Sequence, residues 1–240
     1  MGGRAEAVSA GDRSVEDPVS AAVSSLVRQL APGDRLPAER ELAATLNVSR
    51  SALRDRLSQL EGLGVLERRT GSGTYVRELE SANLTSALDL AVSASRLSLA
   101  ALHSVRVALE RQAAREAARL GEPVPIAYMR KAVKTMEEST ASDPDISQAD
   151  LSFHRALFNA AANPALSFFA DALRGVLKED LAKRRERMRV LPDDRQVMID
   201  VHLAIYDAVQ SGDEQAAMQA IDHHFDVIDQ RLLAASAEAH

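Results

Sequence analysis

The chain has 240 residues, enough for two modest domains, with no cysteine and a formal net charge of −6. Without thiols it has no disulfide, no thiol nucleophile and no thiolate metal site, so any metal must rest on imidazole and carboxylate, as suits a reducing cytoplasm. The acidity excludes a nucleic-acid binder that works through overall charge, yet between Val48 and Arg77 the residues Arg50, Arg54, Arg56, Arg68, Arg69 and Arg77 outnumber Asp55, Glu61 and Glu67, a local net charge of +3.

Residues 1–17 are polar and rich in Ala, Ser and Gly, with no apolar core that would make a signal peptide, and are expected to form a disordered arm. Val19, Val23, Leu26, Val27 and Leu30 recur at helical spacing and stop at Ala31-Pro32-Gly33, which predicts a first helix. A second helix is expected after Leu36-Pro37, with Leu42, Ala43 and Leu46 inward, ending near Asn47. Asn47 tolerates the left-handed conformation that ends a helix, Val48 fits the corner, and Ser49 is placed to cap a third helix. That helix carries Leu53, Leu57 and Leu60 on one face and Arg50, Ser51, Arg54 and Ser58 on another. The period then changes: Val65-Leu66 and Thr74-Tyr75-Val76 read as strands joined through Arg69 to Gly73.

Residues 78–84 are polar and aperiodic and are expected to be a linker. Beyond it, helical segments are expected at about Leu84–Ser95, Ser98–Leu120, Pro125–Ser139, Ser147–Ala161, Pro164–Val190, Arg195–Gln210 and Asp213–Ala235, separated by Gly, Pro and Asn turn signals. The apolar run from Ala160 to Ala172 is broken by Asn163, Pro164 and Asp171 and is too short for a membrane span. The expected fold is therefore mainly α: a winged helix-turn-helix of three helices and a β-hairpin at 18–77, then an all-α antiparallel helix bundle at 85–236.

In the bundle, ionisable side chains fall on apolar stripes. Asp150 and His154, four apart, share a face with Ile146, Phe153, Leu157 and Ala161. His202 lines up with Met198, Ile205 and Val209, and His224 with Ala217, Ile221, Ile228 and Leu232. His223 competes for the last place, on a smaller stripe with Ala216, Ala220 and Val227, and His224 is preferred. A single buried histidine is more often a hydrogen-bonded core residue than a ligand. Three of them with a carboxylate, on three helices, are more cheaply explained by one shared divalent metal, because isolated buried charges cost several kcal/mol each. Zinc, nickel, manganese and iron(II) all suit these donors, and four protein ligands on an octahedral ion leave two positions open. Arg106, on the stripe of Leu99, Leu102, Leu109 and Ala113, either pairs with Glu110 one turn on or clamps the carboxylate of a small organic acid that fills those positions.

From Leu30-Ala-Pro-Gly-Asp-Arg-Leu-Pro-Ala-Glu-Arg-Glu-Leu-Ala through Val48-Ser-Arg-Ser-Ala-Leu-Arg to Gly71-Ser-Gly-Thr-Tyr-Val, the sequence resembles the DNA-binding domain of the GntR family of bacterial transcription regulators. The resemblance implies that Arg40 meets phosphate, that Ser49, Arg50, Ser51 and Arg54 meet operator DNA, and that Thr70 and Gly71 form the wing tip. Arg54-Asp55-Arg56-Leu57 departs from the usual Arg-Glu-Ala-Leu at Arg56. Val105-Arg106-Val-Ala-Leu-Glu110, Asp150-Leu-Ser-Phe-His154-Arg-Ala-Leu, Asn163-Pro-Ala-Leu, His202-Leu-Ala-Ile-Tyr-Asp-Ala-Val and His224-Phe225 resemble the FCD ligand-binding domain of the FadR subfamily. That resemblance places the family's metal ligands on Asp150, His154, His202 and His224, and departs at His103, where an acidic residue is common. It implies a cytoplasmic homodimer on pseudo-palindromic operator DNA, a repressor whose affinity is set by a small carboxylate effector. A metal-free sensor of the same architecture is the alternative. A metal-dependent enzyme is the remote one, since there is no His-Glu-x-x-His motif and a winged helix has no part in such chemistry.

Overall fold

A computed structural model describes residues 18–94, 96–139, 144–188, 191 and 193–238; the arm expected at 1–17 lies outside the described residues. The chain divides into two compact units, one ending at Glu80 and the other starting at Ser81.

In the first unit, α1 (Pro18–Val27), α2 (Glu39–Thr45) and α3 (Arg50–Gly62) precede β1 (Leu66–Arg69) and β2 (Gly73–Val76). Val23, Leu36, Leu42, Leu53, Leu57, Leu66 and Val76 close one core, so every element contributes to it from its apolar face. Asn47 has φ of 52° at the corner between α2 and α3. Ser49 caps α3, its hydroxyl accepting from the Ala52 amide at 3.1 Å. The strands pair antiparallel from Leu66 opposite Val76 to Arg69 opposite Gly73, leaving Thr70, Gly71 and Ser72 as the turn. Gly73 is required there by its conformation, with φ of 124°, a backbone state that L side chains rarely adopt.

The second unit is all helix: α4 (Ser81–Ser93), α5 (Leu99–Leu120), α6 (Pro123–Glu138), α7 (Pro144–Ala160), α8 (Pro164–Met188), α9 (Asp194–Ser211) and α10 (Glu214–Glu238). The apolar periodicity places the first of these at Leu84, and the helix starts three residues sooner. Ser81, Ala82 and Asn83 add no apolar stripe, so a helix carried into its polar first turn leaves no periodic signal. α4 lies against α8 where Gly175 admits it: a Cβ there would meet the Thr85 methyl at 2.6 Å, and the Thr85 hydroxyl donates to the Ala172 carbonyl at 3.1 Å. Gly121 and Gly212, with φ of 65° and 76°, end α5 and α9 in the left-handed conformation. Asn163 starts α8, its side-chain oxygen accepting from the amides of Ala165 and Leu166. Helices α5, α6, α7, α9 and α10 meet around Met129, Met136, Phe153, Leu157, Ile205 and Ile221, all fully buried. Set within that core are Glu110, His154, His202 and His224.

Candidate metal centre and DNA-reading surface

The periodicity that turns α7, α9 and α10 inward brings His154, His202 and His224 together. They are 2%, 0% and 3% exposed, and one ring nitrogen from each lies within 4.8 Å of the others. His223, one residue before His224, is exposed and points away. Asp150, one turn before His154 on α7, brings its Oδ1 to 3.0 Å from His202 Nε2 and 3.5 Å from His154 Nε2.

The remaining contacts fix which nitrogens are free to ligate. His202 Nδ1 lies 2.7 Å from the Met198 carbonyl, which can only accept, so Nδ1 carries the proton and Nε2 keeps its lone pair. His154 Nδ1 lies 2.7 Å from Glu110 Oε2, which turns Nε2 toward the cluster. Glu110 is 1% exposed, and its other oxygen accepts from Arg106 Nε at 2.7 Å. The His154–Glu110 contact is short in distance but poor in direction, and His202 Nε2 and His224 Nδ1 have no hydrogen-bond partner among the described residues. Buried polar atoms normally have one. Nitrogens that converge without bonding one another, those of His202 and His154 backed by a carbonyl and a carboxylate on the far side of the ring, are the donor set a divalent ion takes from imidazole, with Asp150 as the anionic member.

The electrostatics follow. Burial opposes charge on His154, but the Glu110 charge and the bonds to Asp150 and Glu110 outweigh it and raise the ring to about 9. Burial would raise the Glu110 carboxyl too, yet Arg106 and His154 hold it far below the usual carboxylate range. Asp150 is likewise lowered against its burial, by the imidazoles of His154 and His202 beside it. His224 is pushed well down, first by burial and then by the neighbouring imidazoles, so it stays neutral and ready to ligate. Glu110 is the site residue that the sequence left as no more than a partner for Arg106. Its signal was present, an acid one turn beyond Arg106 on an inward stripe, but only the position of α7 reveals that it also backs His154.

The other candidate surface lies on the first unit. Arg40, Ser49, Arg50, Ser51, Arg54, Thr70 and Gly71 are all exposed. Glu39, at the start of α2, gathers two cations: Arg54 of α3 at 2.9 Å and Arg68 of β1 at 3.6 Å. This links the outward face of α3 to the base of the hairpin while leaving Arg50 and the turn projecting. Ser49 and Ser51 bring their hydroxyls to 3.2 Å from each other at the N-terminus of α3. Arg69 stacks on the Tyr75 ring at 4.4 Å, stiffening the hairpin. Arg56, the departure in α3, donates to Gln59 at 2.8 Å along its own helix.

Comparison with known proteins bears on both surfaces. Residues 17–76 match the family model for bacterial regulatory proteins of the gntR family, and residues 101–227 match the FCD domain. An Escherichia coli (strain K12) protein assigned as the regulatory protein of the L-lactate dehydrogenase operon is 31% identical over 90% of this chain and 85% of its own length. The Glc operon transcriptional activator of the same organism is 29% identical over 87% of this chain and 84% of its own. Among solved structures, a Streptococcus agalactiae GntR protein shares the fold with a TM-score of 0.55, at 23% identity over 88% of this chain and 98% of that one. No described helix is long and apolar enough to cross a membrane.

Proposed function

We propose a metal-dependent sensor of small organic acids, on the premise that this chain belongs to the GntR family of bacterial regulators, in its FCD-bearing, FadR-type branch, and is a DNA-binding transcription regulator, not an enzyme. The observation that carries the reading is the convergence of three buried imidazoles, with His202 Nδ1 held on the Met198 carbonyl so that its Nε2 is left for a ligand. His154, His202, His224 and Asp150 hold a divalent ion, zinc, nickel, manganese or iron(II), and a metal bound there supplies a Lewis acid that a chelating hydroxy or keto acid can meet. Arg106 offers that acid a guanidinium from α5, held in place through Nε by Glu110.

The protein acts in the cytoplasm as a homodimer on a pseudo-palindromic operator, each α3 entering a major groove with Arg50, Arg54, Ser49 and Ser51 foremost, Arg40 on phosphate, and Thr70 and Gly71 of the hairpin on the adjoining backbone. Arg54 leaves or shares Glu39 to do so. It is a repressor whose operator affinity falls when the effector binds, which requires the effector to prefer the DNA-free state. A coupling of about 1–3 kcal/mol gives a severalfold to hundredfold response. The test is metal analysis of protein purified without chelator, followed by operator titration with and without L-lactate. One metal per chain and a shifted operator midpoint are expected. Metal-free protein that still answers to an acid would favour the metal-free sensor instead.

A further inference from the structure

Helix α7 is used on two sides. Its inward stripe carries Ile146, Phe153, His154 and Leu157 into the core, while Gln148, Ser152, Arg155 and Asn159, spaced by four, three and four residues, form an exposed stripe on the other. Between the exposed stripe and α6 runs a groove of about 500 Å³, within the range of small-molecule sites. Tyr128, Lys131 and Thr135 form its α6 wall. Alanines leave the room for it: Ala132, Ala149 and Ala156 line the groove, each at most 5% exposed, and longer side chains there would take up its space.

Charge sets this groove apart. In a chain of net charge −6, its described walls hold two cations and no carboxylate. The other cations of α6 are paired, Arg130 with Glu137 at 3.3 Å and Lys134 with Glu138 at 3.5 Å. Lys131 and Arg155 have no ion pair among the described residues. Two like charges over one concavity focus a field that draws an anion between them. The uncharged groups say what kind of anion. The Ser152 hydroxyl donates to the Gln148 carbonyl at 2.7 Å, and the Thr135 hydroxyl to the Lys131 carbonyl at 3.1 Å, so each offers the groove a lone pair and not a proton. Lone pairs call for O–H donors, which a bare phosphate dianion lacks and a sugar has. Gln148 and Asn159 add amides that both donate and accept, and Tyr128, 59% exposed, adds an aromatic face on which a sugar ring can lie.

We propose that the groove between α6 and α7 is a ligand site separate from the imidazole cluster, and that it takes a phosphorylated sugar. The phosphate lies between Lys131 and Arg155, one giving a point charge and the other a planar fork to its oxygens. The sugar hydroxyls meet Thr135, Ser152 and the two amides. This goes beyond the acid-sensing reading and does not depend on it, because His154 leaves α7 on the opposite side.

The experiment is calorimetric titration of the full-length protein with D-glucose 6-phosphate, D-glucose and inorganic phosphate, in the wild type, Lys131→Met, Arg155→Met and the double variant. Both residues are exposed and methionine keeps an apolar stem, so the fold should hold, as a cooperative melt checks. One glucose 6-phosphate per chain is expected, bound about tenfold tighter than inorganic phosphate, with no heat from glucose. Each single variant is expected to bind it about tenfold more weakly, with metal content unchanged. No binding of glucose 6-phosphate to the wild type overturns the proposal. So does glucose binding as well as its phosphate, since the cations are then unused, or inorganic phosphate binding as tightly, since no sugar is then read. Variants that bind like the wild type place the phosphate elsewhere, and loss of the dimer in the double variant makes the groove a contact between copies; either result also overturns it. None of these outcomes alters the metal or the response to L-lactate, so the two readings fail separately.

Discussion

The two units use charge in opposite ways. In the first, arginines and serines stand in water around a small apolar core, and each contact they make is exposed or half-exposed, so it is weak within the protein and available to a partner. In the second, an acid, a guanidinium and three imidazoles are enclosed among Phe153, Ile205 and Ile221, where each is held by another and an unpaired member is expensive. Changes in the first unit should therefore alter binding and spare the fold, and changes in the second should alter metal and stability together.

The sharpest break of that contrast is His202→Ala. Loss of one of three converging imidazoles should abolish stoichiometric metal, read by elemental analysis after dialysis, with a larger loss than the 10–100-fold typical of altering a group behind a ligand. Retained metal would place the site elsewhere. Glu110→Gln comes next: it keeps the shape but leaves Arg106 uncompensated and weakens the support of His154. Metal affinity should fall about 10–100-fold and unfolding free energy by about 3 kcal/mol, checked by competitive chelation and denaturant melts.

Arg50→Ala and Arg54→Ala probe the other unit. Each should weaken operator binding by about 1–3 kcal/mol with metal content intact, and a phosphate contact would also lower the slope of affinity against salt by about one. Unchanged binding removes that residue from the interface. The mildest change is Ser49→Ala, where losing the cap of α3 should cost about 1 kcal/mol, seen as a small drop in melting temperature.

Acid and base separate the units further. Without metal, His154, raised to about 9, favours folding below its unfolded value near 6.5 and loses that contribution as pH rises from there through about 9. His224 is lowered, so its buried neutral ring costs stability as pH falls below about 6.5. A metal takes neutral rings, so binding at pH 8 should expel a proton from His154, measurable as a buffer-dependent heat, and metal should be released on acidification through about pH 6. No buffer dependence at pH 8 would mean that His154 is neutral before the metal arrives.

Much of this arrangement could be read from local pattern. Asn47 and Ser49 mark the corner before α3 because a left-handed residue and a hydroxyl cap are chemical requirements of that turn. Asp150, His154, His202 and His224 declared themselves by standing on stripes of Leu, Ile and Phe, since helical period alone decides which way a side chain faces. Glu110 was legible only as a neighbour of Arg106, and the start of α4 at Ser81 was hidden because a polar first turn has no stripe.

What the sequence determined by itself was each element and its inward face, because caps, turns and periodicity act over a few residues. What only the tertiary structure decided was which inward faces meet: that Glu110 of α5 backs His154 of α7, that Glu39 gathers Arg54 and Arg68, and that Phe225 bridges His224 and His103. Those pairings depend on how helices far apart in the chain come together, and no local interaction encodes them.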